Sequence, residues 1–396
     1  MANDVFDIRQ NLSIEFYIPD AGTFVWGVNY WDDGGVWDTD PSSLGWKNLT
    51  CETFDISLTS GCAIESGIFT APSSSIAQIR MQGASYDPFA SGVIHAGTGV
   101  RIKIEPLPDS DPGSTYTIWQ GTVRDFSASY NQQGNNIISI NAVDAMQTFL
   151  NTFVAGYTIV TMTSLPGAVI ADLAALYYPG SFTPNINPDI SSSYLAGKVY
   201  ANTTVGAIIN DCLTAGLGAL WMDREGTLQY RSQDDLENII DTFSFEFSTI
   251  HTTDQTHICM TDLVMKADSR DLPNEIVTTI STGAQGYLRN QDSYDLYGPI
   301  ALEVDLPFDS ALSATRWRNA LDLTTKLRRV ESLSFDAISR PGQLWEWYQV
   351  DRIFDPNIIT YDINGISFSE YYFVTQQLDR ITPNSWDITL ELWRGI

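Results

Sequence analysis

Strict two-residue alternation, repeated in short runs along the chain, limits what this sequence can fold into more than any other feature. Ala77, Ile79 and Met81 face one way while Gln78, Arg80 and Gln82 face the other, and Val100, Ile102 and Ile104 alternate with Arg101, Lys103 and Glu105. That period predicts strands with one dry face. A longer pair runs from Tyr116 to Tyr130 and from Ile137 to Val143, parted by the Asn/Gln/Gly-rich segment 131–136, and reads as a hairpin. Half-buried strands hide their dry faces only by closing on themselves or by stacking on a second sheet. A small barrel or sandwich is therefore expected over residues 1–150.

After Val143 the period changes. Ser164 as a cap and Pro166 in the first turn predict a helix on which Val169, Ile170, Leu173, Leu176 and Tyr177 recur until Pro179 and Gly180 stop it. A second helix is predicted from Thr203 or Thr204, burying Val205, Ile208, Ile209, Cys212 and Leu213 and ending at Gly216 or Gly218. Ala219–Met222, a turn at Asp223–Gly226 and Thr227–Arg231 then read as a hairpin. Residues 151–240 are accordingly expected to form a compact α+β module. Strands return over 241–396, for example Glu275 to Ser281, with one helix between Ser310 and Arg328 turning Ala314, Trp317, Leu321 and Leu327 inward. In the last strand Trp386, Ile388, Leu390 and Leu392 are expected on the dry face. The fold class read from this pattern is mainly β with an α+β insert: two small β-barrel or sandwich modules flanking an α+β module.

The charge balance narrows the partners. The 396 residues carry 21 basic and 48 acidic side chains, a formal net charge of -27, and such a field repels phosphate backbones. Conventional nucleic-acid binding is not expected on that ground, and the charge serves solubility alone as the equal alternative. Four cysteines, Cys51, Cys62, Cys212 and Cys259, show no CxxC pairing and read as buried free thiols, with Cys51 and Cys62 close enough in sequence to bridge a strand pair as the alternative. No basic, apolar leader follows Met1 and no run of eighteen apolar residues occurs, so the expected product stays in the cytosol until a larger assembly carries it out, without membrane insertion.

Three stretches, taken in order, resemble the minor tail proteins of long-tailed phages. Trp119-Gln-Gly-Thr-Val-Arg-Asp-Phe126 followed by Ile138-Ser-Ile-Asn-Ala-Val-Asp-Ala-Met146 is similar to that family's G-x-V-x-D … V-x-A-V-D-A hairpin, and Val100-Arg-Ile-Lys103 is similar to the strand before it. Gly218-Ala-Leu-Trp-Met-Asp-Arg-Glu-Gly-Thr-Leu-Gln-Tyr-Arg231 resembles G-G-x-x-x-V-D-x-x-G-x-L-x-F-R-D. Tyr372 to Leu390 resembles F-x-V-x-x-I-x-H-x-I-T-P-x-x-W-x-V-T-L. The chain departs from the pattern at Asp379, where the family has His, and over Trp26 to Trp46, so neither takes a family role. The resemblance implies a tail-tip hub: a homotrimeric ring in which two β-barrels per chain mimic six-fold symmetry and dock on a hexameric tail tube. It also implies distal tail, tape measure and other tail-tip proteins as partners, a channel through which DNA passes without sequence-specific contact, and a place in the virion.

Side chains able to do chemistry are few. Only His95, His251 and His257 exist, and none sits in a nucleophile motif; His95 reads as a loop or edge residue. His251, Asp254, His257 and Cys259 offer ligands in one stretch, but at no zinc spacing. Trp31-Asp-Asp-Gly-Gly-Val-Trp-Asp-Thr-Asp40 offers carboxylates for calcium or aromatics for a sugar, and equally an extended loop that packs on a neighbouring subunit. No catalytic, cofactor-binding or metal-ligating residue is assigned, and no cofactor is expected. The alternative from another class is a carbohydrate-binding β-sandwich protein or glycosidase that uses residues 31–40 as its sugar platform.

Overall fold

A computed structural model describes residues 11–19, 44–65, 69–83, 87–91, 94–105, 115–130, 136–159, 165–178, 185–186, 195, 197–232, 245–249, 257–266, 273–308, 314–315, 317, 329–338, 347–348, 353–363 and 366–393. The protein is mainly β. Fourteen strands join into one hydrogen-bonded sheet that runs through both the first and the last third of the chain. From one end its path is Leu44–Asn48, Leu12–Pro19, Gly99–Ile104, Tyr116–Tyr130, Asn136–Val143, Ile76–Gln82 and Thr53–Gly61. It then crosses to Ile366–Thr382 and continues through Pro356–Ile363 to Glu246–Ser248 and His257–Cys259.

The crossing strand is long enough to serve several neighbours. Residues 366–373 of Ile366–Thr382 pair with Pro356–Ile363, and residues 376–381 pair with Thr53–Gly61. Its other edge pairs with Ser385–Trp393, which leads to Arg329–Asp336 and Asp262–Lys266. The changeover falls at Thr375, where the register shifts. Its carbonyl accepts the Cys62 amide at 2.9 Å, while the Val374 carbonyl accepts the Phe354 amide at 2.7 Å. Gly61 turns here with φ of 101°, and a Cβ at that position would collide with the Thr375 carbonyl oxygen.

Alternation predicts burial well where no bulge intervenes. Ala77, Ile79 and Met81 are buried and their even-numbered neighbours Gln78, Arg80 and Gln82 exposed; Val100, Ile102 and Ile104 are buried as well. The last strand follows the expected face through Trp386, Ile388 and Leu390. It then departs, with Leu392 half-buried and Trp393 buried, because the partner strand bulges opposite Glu391 and shifts the pleat.

Three of the described helices pack in a second core. Pro166–Tyr177 buries Val169, Ile170, Leu173 and Ala174 and packs Tyr177 half-buried against the same core, but Leu176 is 60% exposed. Its N-cap is Leu165, with no side-chain cap bond; Ser164, the expected cap, lies outside the described residues. Val205–Gly216 is capped by the Thr204 hydroxyl, which accepts the Ala207 amide at 3.3 Å, and it buries all five residues expected of it. Ala145–Asn151 is the third helix there, and Gln291–Tyr297, which buries no residue, is a second helix within 241–396 where one was expected; the apolar spacing marked neither. The helix expected between Ser310 and Arg328 has buried Ala314 and Trp317, while Leu321 and Leu327 lie outside the described residues. No described helix is long and apolar enough to cross a membrane.

Candidate functional site

The turn of the hairpin 219–231 reaches from the helical core to the long crossing strand. Ala219–Met222 and Leu228–Arg231 pair in register, and the Asp223 carboxylate ties the turn by accepting the amides of Glu225 at 3.0 Å and Thr227 at 2.7 Å. Gly226 closes it with φ of 79°. This geometry aims Arg224 into the last third of the chain. Its guanidinium donates to the Trp347 carbonyl and to Gln377 Oε1, both at 3.3 Å, and lies 4.4 Å from the centre of the Tyr348 ring.

Gln377 and Asp379 stand two residues apart on the crossing strand and so share a face. Gln377 Oε1 also accepts from Trp347 Nε1 at 2.9 Å, and its Nε2 donates to Tyr348 Oη at 2.8 Å and to Asp379 Oδ2 at 2.7 Å. Asp379 Oδ1 accepts from Trp386 Nε1 at 2.9 Å and from the Tyr348 hydroxyl. Arg224, Trp347, Tyr348, Gln377, Asp379 and Trp386 are all buried. Burial pushes the Asp379 carboxyl above its ordinary value, and the donated bonds and the Arg224 charge pull against that shift. Burial, with the Asp379 charge next, drives the Tyr348 hydroxyl far up, so it stays a donor.

Beside this network lies a cavity of about 350 Å³ lined by Tyr116, Trp221, Asp223, Arg224, Arg231 and Tyr348. Arg231 donates to the Phe354 carbonyl at 2.6 Å and pairs with Asp355 at 3.2 Å, and Gln120 donates to the Glu225 carbonyl from the first-third hairpin. All three thirds of the sequence therefore meet around Arg224. Its hydrogen bonds hold elements together, and no histidine or thiol lies among these residues to work as a base or nucleophile.

The other candidates stand apart. His95 is exposed in a turn, its amide donating to Thr98 Oγ1 at 3.0 Å and its carbonyl accepting the Thr98 amide. His257 pairs with Glu246 at 2.8 Å on a neighbouring strand, and Cys259 is half-buried. His251, Asp254 and the whole of residues 31–40 lie outside the described residues. Among the described residues no group of three or more His, Cys, Asp or Glu side chains is placed to hold a metal. Cys62 and Cys212 are free and fully buried, and burial raises both thiols far above their ordinary value. Sequence reasoning passed over Arg224, Tyr348 and Gln377, and it noted Asp379 only as a departure from a pattern. The adjacent Trp347-Tyr348 pair and the Gln377-x-Asp379 spacing were the available signals.

No protein-family model matches the sequence, and no curated protein matches it either. Solved structures do match. The 43 kDa tail protein of prophage MuSo2 from Shewanella oneidensis aligns over 97% of this chain and 98% of its own, with a TM-score of 0.61 at 9% identity. The chain has the fold of a prophage tail protein. A tail protein from Neisseria meningitidis covers 96% of each chain, with a TM-score of 0.59 at 9% identity. A chain of the half-lidded PdpA–VgrG complex of Francisella covers 97% of this chain and 58% of that one, with a TM-score of 0.51 at 10% identity. Within this tail-protein fold, the hairpin 219–231 and the strand carrying Asp379 are two of the stretches that carried the resemblance in sequence.

Proposed function

We propose that this protein is a structural subunit of a phage tail tip, a hub or minor tail protein that docks on the tail tube and catalyses nothing. The observation that carries this reading is the end-to-end match to a prophage tail protein, 97% of one chain on 98% of the other. In this reading the three modules, residues 1–150, 151–240 and 241–396, assemble as a homotrimer whose β-modules form barrels around a channel. Tail tube or distal tail proteins, the tape measure protein and other tail-tip proteins are its neighbours in the virion. The charge of -27 acquires a use there, since an acidic lumen releases no counterions on contact with DNA and lets it slide out during ejection.

Labelling with an antibody against the chain, followed by electron microscopy of phage particles, tests the proposal. Label confined to the distal end of the tail is the expected result. Label on the capsid or none on the particle overturns it, as does a purified chain that remains single at high concentration and hydrolyses a polysaccharide.

A further inference from the structure

Where the sheet of the first third meets the helical core, two side chains lack what each can supply to the other. Asp144 stands between the strand Asn136–Val143 and the helix Ala145–Asn151, which it caps. It is 2% exposed and grips Ser75, the buried residue before the strand Ile76–Gln82, through two bonds. The Asp144 amide donates to the Ser75 carbonyl at 3.1 Å, and the Ser75 amide donates to the Asp144 carboxylate at 2.8 Å. The amides of Met146 and Gln147 reach the same carboxylate from the helix. Gln147 occupies the third helical position, from which a side chain folds back over the cap. Its Oε1 is buried and accepts no hydrogen bond among the described residues, which is costly for an acceptor shut off from water. An ionised Asp144 has only acceptors to offer it, whereas the neutral acid has a donor.

No basic group is at hand to hold Asp144 as an anion. Its own helix carries no charged residue. Of the elements packed on that helix, Ala219–Met222 carries none either, and Val205–Gly216 holds Asp211, which is tied to Lys198 at 2.7 Å and to the Tyr200 hydroxyl at 2.7 Å. Asp172 on Pro166–Tyr177 accepts from the Tyr157 hydroxyl at 2.7 Å. On the neighbouring strands Arg124 pairs with Asp125 at 2.8 Å and Arg80 with Asp55 at 3.5 Å, both at the surface. The titratable side chain that feels the Asp144 charge is Tyr178, on which Asp223 also acts, and its hydroxyl donates to the Gly226 carbonyl in the turn that aims Arg224. Burial pushes the Asp144 carboxyl up to about 7 against all the bonds it accepts.

We infer that Asp144 is held as the neutral acid, its proton donated to Gln147 Oε1, and that the pair is a proton-operated clasp between the first-third sheet and the helical core. When the proton passes to solvent, a buried anion is left with no cation beside it, Gln147 Oε1 loses its donor, and the joint to Ser75 loosens.

Infrared difference spectra of the full-length protein between about pH 6 and about pH 8 read the proton directly. A carboxylic-acid carbonyl band is expected in wild type at the lower pH, lost at the higher one and missing from Asp144→Asn, whose amide gives Gln147 a permanent donor. Gln147→Met keeps the length of the side chain and removes the acceptor, so the midpoint of the band is expected to fall by about 0.5–1 pH unit. After correction for intrinsic rates, the amides of residues 75–82 and 145–151 are expected to exchange faster above the midpoint than below it in wild type, and equally in Asp144→Asn. A carboxyl ionised throughout this range overturns the inference, as does a folded Gln147→Met chain that titrates as wild type does. Exchange at the joint that ignores the proton removes the clasp. Should Gln147→Met not fold, Gln147→Ala takes its place, with circular dichroism confirming the fold.

Discussion

Two buried aspartates show how a single side chain takes its meaning from its surroundings. Asp144 caps the helix Ala145–Asn151, its carboxylate accepting the Met146 amide at 3.1 Å and the Ser75 amide at 2.8 Å. Burial lifts its pKa from 3.8 to about 7 in spite of those bonds. Because the raised value belongs to the folded state, the folded chain binds more protons than the unfolded one between these limits. The stabilisation is therefore complete below about 3.8 and is lost as the pH rises through about 7. Asp144→Asn, which keeps an oxygen for capping, is expected to flatten this part of the curve; denaturant unfolding from pH 4 to 8 on both proteins measures it, and parallel curves would refute it. Asp379 instead joins strands. Asp379→Ala strips the acceptor from Trp386, Gln377 and Tyr348 at once and is expected to lower stability by about 3–5 kcal/mol, with Asp379→Asn losing less. Thermal unfolding checks the order of the two.

At the scale of elements, glycine placement explains a helix end that the residue types alone do not. Gly216 and Gly218 flank the end of Val205–Gly216, and either could supply the left-handed residue that stops a helix. Neither does. A Cβ on Gly216 would lie 2.9 Å from the Pro166 ring and one on Gly218 2.8 Å from the Arg231 carbonyl oxygen, so both glycines serve close packing. The left-handed position falls to Leu217, with φ of 53°, whose side chain is buried in a third core that also holds Ile276 and Trp317. The joint at Gly61 obeys the same logic. Gly61→Ala meets both a φ of 101° and the Thr375 carbonyl, and is expected to destabilise by about 3 kcal/mol, whereas Gly45→Ala, with nothing within 4 Å, is expected to change little. Equilibrium unfolding of the pair separates them, and equal effects would refute the strain argument.

For the whole molecule, a net charge of -27 opposes the self-association that the proposed function requires. Raising the salt from about 0.05 M to about 1 M shortens the reach of that repulsion and is expected to strengthen self-association, read by light scattering; association that weakens with salt would point to ion pairs at the interface. Much of the fold is legible before any coordinates are seen. The strands Ile76–Gln82 and Gly99–Ile104, the hairpin Tyr116–Val143, the helix Val205–Gly216 and the hairpin 219–231 follow from side-chain period and turn residues, because the period shows which face of each element must be dry and the turn residues act on their own backbone. The short helix Ala145–Asn151 escaped because its two buried residues, Met146 and Phe149, are too few to set a period. What only the tertiary structure decided is which strand of the first third lies beside which strand of the last, and therefore that Arg224, Gln377 and Asp379 touch. Hydrogen bonding between strands depends on backbone and not on side-chain type, so any dry-faced strand can pair with any other until the packed cores on either side select one neighbour.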